Sequence, residues 1–197
     1  MKKITKKILL LFDDNIFRFI VKVLYPEYKR HIHNNKYNYQ VIYRFAIAQK
    51  IFRINSSVPW PVDFRSRVIG IEGITKGILC NPGDSMGIYI NGTGGISFGN
   101  NIEIGPNTII TSINHDINNP QKYSKKRGIK IGNNVWIGAN CSILAGSDIG
   151  NNVTIGAGCV ISSKIPDNSI VLSGSRDINI IEKRDVPINI EYGKLNQ

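Results

Sequence analysis

Residues 131–161 read Ile131-Gly-Asn-Asn-Val-Trp-Ile137-Gly-Ala-Asn-Cys-Ser-Ile143-Leu-Ala-Gly-Ser-Asp-Ile149-Gly-Asn-Asn-Val-Thr-Ile155-Gly-Ala-Gly-Cys-Val-Ile161, with isoleucine at every sixth position. Glycine follows four of these isoleucines, at Gly132, Gly138, Gly150 and Gly156. A period of six fits neither the 3.6 of an amphipathic helix nor the 2 of a half-buried strand. It predicts a solenoid in which each hexad supplies one short parallel strand and one corner. Four residues after each isoleucine stand Val135, Cys141, Ser147, Val153, Cys159 and Ile165, small or medium side chains suited to a second inward position near the turn. The expected interior is a narrow stacked column.

Working outward, the same beat occurs at Phe98, Ile104 and Ile110 and then breaks. Gly-Asn-Asn recurs at 99, 132 and 150; the last two lie 18 residues apart, which is three hexads, whereas the first two lie 33 apart, an excess of 15. If one triangular coil takes three hexads, all three triplets share a corner once about 15 residues are looped out after position 115. Gly and Asn tolerate the left-handed backbone that a sharp corner requires.

The N-terminal part is different in kind. Residues 1–60 hold twelve Lys and Arg against three Asp and Glu, while the other 137 residues hold thirteen against eleven. Apolar residues at Ile8, Phe12, Ile16, Phe19, Ile20 and Val23, then Val41, Ile42 and Phe45, predict helices over about 4–24 and 38–52. Pro59-Trp60-Pro61 ends this region, since proline removes donors and forbids helix. The expected division is a basic helical segment at 1–60, the solenoid at 61–175 with a loop at about 116–128, and a tail at 176–197. The apolar run Ile8 to Phe12 is too short for a signal sequence or a bilayer span, so the expected compartment is the cytoplasm. A basic amphipathic N-terminus suits the anionic inner face of a membrane; packing on the solenoid end or on a sister subunit is the competing expectation. No nucleic-acid-binding module accompanies the charge.

Cys80, Cys141 and Cys159 have no metal-site spacing, and the last two, one coil apart, are expected to stack as small buried hydrophobes. Of the three histidines, His31 and His33 lie in the basic linker, and only His115 lies in the repeat, at the foot of the inserted loop. A loop of that length in a solenoid is a place for function. Histidine titrates in the neutral range and suits general-base work; a solvated surface histidine is the alternative.

Residues 85–172 resemble the hexapeptide-repeat acyltransferases, left-handed parallel β-helices, and among them the sugar and capsular-polysaccharide O-acetyltransferases. The resemblance rests on Phe98-Gly-Asn-Asn-Ile-Glu-Ile-Gly-Pro-Asn107, Asn114-His-Asp116, the Ile131 to Asn140 stretch, Val153-Thr-Ile-Gly-Ala-Gly158 and Ser163-Lys-Ile-Pro-Asp-Asn-Ser169; Val58-Pro-Trp-Pro-Val62 is similar to the polysaccharide-modifying branch. It implies a mainly β fold of left-handed coils, a homotrimer with sites between subunits, acetyl-CoA as co-substrate, no metal, a glycan acceptor and His115 as the base. By the same resemblance, Trp136, Ala139, Ala157, Ser163 and Lys164 are expected along the coenzyme, and Ser85, Tyr89, Asn91, Thr93, Asn114 and Asp116 near the acceptor. The chain departs from the pattern at Ser85 and Thr93, where relatives carry other polar groups, and at Gly174-Ser-Arg-Asp177, where Arg176 is a candidate for the coenzyme phosphates. Lys122, Lys125, Lys126 and Arg127 form a basic stretch in the loop that suits anionic ligands.

Other function classes make distinct demands. Gly83-Asp-Ser-Met-Gly87 matches the nucleophile elbow of hydrolases, but that motif needs a helix after it, and Ile88-Tyr-Ile-Asn-Gly-Thr-Gly-Gly95 reads as none. A zinc hydratase would need several histidines in the coils. Transfer to an amino sugar, or a non-catalytic trimeric scaffold, are the remaining alternatives.

Overall fold

A six-residue period leaves room for a strand of about three residues and a corner of three. The computed structural model has that form over residues 67–173; it describes residues 11–28, 37–116, 118–119, 121–124, 127–173 and 178–182. One sheet stacks β1 (Arg67–Ile69), β3 (Tyr89–Asn91), β6 (Ile109–Thr111), β9 (Ser142–Leu144) and β12 (Val160–Ile161). A second stacks β2 (Ile74–Lys76), β4 (Ile96–Phe98), β7 (Ile129–Ile131), β10 (Asp148–Ile149) and β13 (Lys164–Ile165). The third stacks β5 (Ile102–Ile104), β8 (Val135–Ile137), β11 (Thr154–Ile155) and β14 (Ser169–Ser173), closed by the antiparallel β15 (Ile178–Glu182). From β3 to β14 successive strands fall on successive sheets, so each trip around the three sheets is one coil; between β2 and β3 the third sheet is touched only by the isolated bridge of Cys80 with Ile102.

Both inward columns are where the spacing puts them. Ile131, Ile137, Ile143, Ile149, Ile155 and Ile161 are buried, as are Val135, Cys141, Ser147, Val153, Cys159 and Ile165. Each fully buried isoleucine side chain stabilises the rod by about 1.5–3 kcal/mol relative to exposure. Ser147 is tolerated inside because its one hydroxyl proton finds an acceptor in the carbonyls of Leu144 at 2.7 Å or Ile161 at 3.0 Å. The three thiols are free and buried, and burial pushes each above the usual thiol range. None is therefore a thiolate nucleophile at neutral pH.

Phe98, Ile131 and Ile149 are Cα partners, so Gly99, Gly132 and Gly150 share one corner and the loop is accommodated without loss of register. The coils approach so closely there that a Cβ on Gly132 would lie 2.6 Å from the Gly150 carbonyl oxygen. The asparagines behind them form a ladder: the N–H of Asn100 donates to Oδ1 of Asn133 at 2.8 Å, that of Asn133 to Asn151 at 2.9 Å, and that of Asn151 to Asp167 at 2.8 Å. Asp167 takes the asparagine's place in the last coil. The backbone and side-chain amides of Asn151, with Lys164 nearby, hold its carboxyl below the usual range.

The helical segment has its own small core of Val21, Tyr25, Val41, Phe45 and Ala46. Its helices are α1 (Arg18–Leu24), preceded by wide π-type turns at Asp13–Phe17, and α2 (Asn38–Val41), continued by similar turns at Ile42–Ile51. Asp13 is fully buried, and its carboxylate accepts the N–H groups of Asn38 at 3.0 Å and Tyr39 at 2.8 Å. It thereby caps the start of α2 from another element. Gln49 joins this segment to the solenoid. Its Oε1 accepts the Tyr25 hydroxyl at 2.8 Å and the Val62 N–H at 2.9 Å, while its Nε2 donates to the Trp60 carbonyl at 3.1 Å. Val58, Trp60 and Val62 belong to the solenoid core, so the helices pack on its N-terminal end. Trp60 is pinned by its indole N–H to the Pro82 carbonyl at 2.8 Å.

Candidate functional site

The inserted loop leaves the rod after Thr111 and returns at Ile129, at the corner between the first and second sheets. Its foot is fixed by Ser112, a residue the sequence reading passed over. Ser112 is fully buried; its N–H and its hydroxyl donate to the Asn91 carbonyl at 3.0 and 2.8 Å, and the hydroxyl accepts the Gly94 N–H at 2.9 Å. The start of the loop is thus clamped to the corner of the coil below. Asn91 lies beside Thr111 in register, and Thr93 is exposed on that same lower corner, its N–H donating to Asn91 Oδ1 at 3.1 Å.

Beyond the clamp the loop doubles back on itself. The Asp116 N–H donates to the Lys122 carbonyl at 2.9 Å and the Ser124 N–H to the Asn114 carbonyl at 2.9 Å. These two bonds flank an antiparallel pair of His115 with Tyr123. Paired residues of this kind project to one side, and the rings stand 5.0 Å apart between centroids, tilted by 33°. His115 is exposed, with an aromatic wall on one side. Asp116 Oδ1 accepts the N–H groups of Asn118 at 2.8 Å and Asn119 at 3.0 Å, so that oxygen shapes the loop's turn. Tyr123 could not have been picked from the sequence, because only the hairpin pairing of the loop brings position 123 beside 115.

The other expected site residues are spread over one further corner and all three faces of the prism. Ser85, Ala139 and Ala157 share the corner between the third and first sheets: the Asn107 N–H donates to the Met86 carbonyl at 3.0 Å, the Asn140 N–H to Pro106 at 3.0 Å and the Gly158 N–H to Ala139 at 2.9 Å. Ser85 sits in a turn, its carbonyl accepting the Ser66 hydroxyl at 2.6 Å, with strand β3 rather than a helix following it. Trp136 is 56% exposed on the third sheet, between Glu103 and Thr154 in register. Tyr89 faces out from the first sheet, between the two corners, as the Cα neighbour of Ile109. Lys164 is exposed on the second sheet, in line with Asp148 and Lys130. Ser163 immediately precedes it, its carbonyl accepting the Asp148 N–H at 3.3 Å.

Two shallow grooves on that second face share Ser97, Lys130 and Asp148, and together they run from the loop's return at Gly128 to Lys164 and Asp167. The residues therefore form one cluster at the loop corner, Asn91, Thr93, Asn114, His115, Asp116 and Tyr123, while Ser85, Ala139 and Ala157 lie at the corner between the third and first sheets, Trp136 on the third face, Tyr89 on the first, and Ser163 and Lys164 on the second. A triangular rod keeps these apart within one chain. Lys125, Lys126 and Arg176 lie outside the described residues, as do His31 and His33.

Residues 128–163 match the family described as bacterial transferase hexapeptide (six repeats). Within that stretch the chain carries the hexapeptide repeat of this family. Among solved structures it is similar to a hexapeptide-repeat acetyltransferase of Vibrio cholerae O1 biovar eltor complexed with acetyl coenzyme A, with 22% identity over 64% of this chain and 66% of that one and a TM-score of 0.50. A maltose O-acetyltransferase of Clostridium difficile 630 is 28% identical over 61% of this chain and 64% of that one, with a TM-score of 0.48. Galactoside acetyltransferase in complex with coenzyme A is 20% identical over 85% of this chain and 80% of that one, with a TM-score of 0.46. The chain spans just under two thirds of the length of the first two. The fold is the left-handed parallel β-helix, with short helices before it in this chain.

Proposed function

We propose that this hexapeptide-repeat protein is an acetyltransferase that moves an acetyl group from acetyl-CoA to a hydroxyl of a sugar, a capsular or surface polysaccharide or its precursor. The observation that carries this reading is His115: an exposed imidazole on a short hairpin whose foot is clamped to the rod by Ser112, with Tyr123 beside it and Asn91 and Thr93 at the corner below. The reaction is direct. A ring nitrogen of His115 takes the proton of the acceptor hydroxyl as its oxygen bonds to the thioester carbonyl carbon; the carbon–sulfur bond then breaks, and the imidazolium returns that proton to the departing thiolate. A backbone N–H at the site steadies the oxyanion. Tyr123 offers a flat apolar face on which a sugar ring can rest.

The separation of the loop corner from Trp136, Ala139 and Ala157 favours a trimer. A cleft between parallel rods would join the loop corner of one copy to Trp136, Ala139 and Ala157 of the next, with the coenzyme along it and Ser163 and Lys164 toward its phosphate end. Much of the acceleration then comes from holding acceptor and thioester in register, for which oriented reactants recover about 7–11 kcal/mol of barrier. The test is a thiol-release assay with acetyl-CoA against free sugars, amino sugars and oligosaccharides. His115→Ala is expected to lower turnover about 10²-fold or more without changing the oligomer mass. Unchanged release by that variant would overturn the assignment, and release with amines alone would redirect it to N-acetylation.

A further inference from the structure

The helical segment carries two apolar faces, and its contacts use only one. Val21, Tyr25, Val41, Phe45 and Ala46 form the inner face. Opposite Val21 and Tyr25, the stripe Phe12, Ile16, Phe19 and Val23 follows helical spacing, yet Phe19 is 68% exposed and Val23 60%. After α2, Ile51 and Phe52 are each 69% exposed and Tyr43 65%. Bare aromatic and aliphatic side chains in this number, on a segment of some forty described residues, mark an interaction surface.

Charge decides what covers it. The surface stretches 11–24 and 42–54 hold five cations, Arg18, Lys22, Arg44, Lys50 and Arg53, against Asp13, which is buried, and Asp14. Of these cations, Arg18, Lys22, Lys50 and Arg53 are exposed among the apolar residues. Two copies meeting through this surface would bring like charges together, whereas an anionic lipid surface neutralises them while taking up the apolar side chains. Among the described residues no helix is long and apolar enough to cross a membrane. We infer that residues 11–24 and 42–54 form a docking surface that lies in the headgroup region of an anionic bilayer, with Phe12, Ile16, Phe19 and Phe52 as wedges and Arg18, Lys22, Lys50 and Arg53 on the lipid phosphates. The second occupant that the apolar face fits, another copy of this chain, is separated by the test below. The inference stands on the surface alone and holds whichever group the solenoid transfers.

The experiment is co-sedimentation of the full chain with phosphatidylcholine vesicles containing phosphatidylglycerol and with pure phosphatidylcholine vesicles. Binding is expected to the anionic vesicles, weakened by high salt. The double variant Phe19→Ser, Phe52→Ser is expected to lose about tenfold or more in partitioning, since each ring adds insertion area. Both rings are exposed, so its circular dichroism and thermal midpoint should match the parent. Equal sedimentation of parent and variant would overturn the assignment, as would no binding to either vesicle. Loss of oligomer mass in the variant, by light scattering, together with no vesicle binding by the parent, would assign the face to self-association instead.

Discussion

The rod and the helical segment bury their apolar residues by opposite logic. In the rod each coil supplies the floor for the next, so every isoleucine of the hexad series finds its neighbour within the chain and Ile137, Ile143 and Ile155 have no exposed surface. The helical segment has only two short helices and one end of the rod to lean on. Half of its apolar stripe, Phe12 to Val23, stays uncovered, while a charged and two polar side chains, Asp13, Asn38 and Gln49, are buried to hold it together. A repeat completes itself by stacking, whereas an appendage depends on specific polar joints and leaves a face for something else.

Substitutions can break this contrast, beginning with the rod. Ile143→Ala is expected to cost about 2–5 kcal/mol, because the coils above and below hold the cavity open; urea unfolding measures it, and a loss under 1 kcal/mol would mean that the column is loosely packed. Gln49→Leu strips the Tyr25 hydroxyl and the Val62 N–H of their shared acceptor, at about 1–3 kcal/mol per unsatisfied group. Its signature is local: amide exchange should quicken over residues 37–58 while strands β7 to β12 keep their protection. Ser112→Ala leaves the Gly94 N–H without the hydroxyl it donates to and loosens the loop's foot. About 1 kcal/mol of stability should go, with turnover falling severalfold more than that loss explains, as seen by comparing kcat with the thermal midpoint. Phe19→Ser should be nearly silent in stability, within about 0.5 kcal/mol. A large loss there would show that the stripe is core after all.

Most of the rod was legible because one residue type at one spacing encodes one geometry. The 15-residue excess between Gly99 and Gly132 measured the loop, and the stacked Gly99, Gly132 and Gly150 show why: a corner with no room for a Cβ can only be glycine. His115 stood out as the one histidine in the repeat. Its surroundings did not, since Ser112 is an unremarkable serine until its hydroxyl is seen between Asn91 and Gly94, and Tyr123 is a loop tyrosine until the hairpin folds. The helix spacing of Phe12, Ile16, Phe19 and Val23 was equally visible. Which way that stripe faces was not, because periodicity reports that a face exists and is silent on what lies against it.

The sequence by itself determined the coil period, the stacked interior, the glycine corner and the place where the loop interrupts them, since each follows from steric rules repeated along the chain. Tertiary structure alone decided that Asp13 caps a helix beginning at Asn38, that Gln49 joins helices to rod, and that the expected site residues divide between separate corners. Those outcomes depend on pairs far apart in the chain that meet only when the coils close, and no local pattern encodes such a meeting.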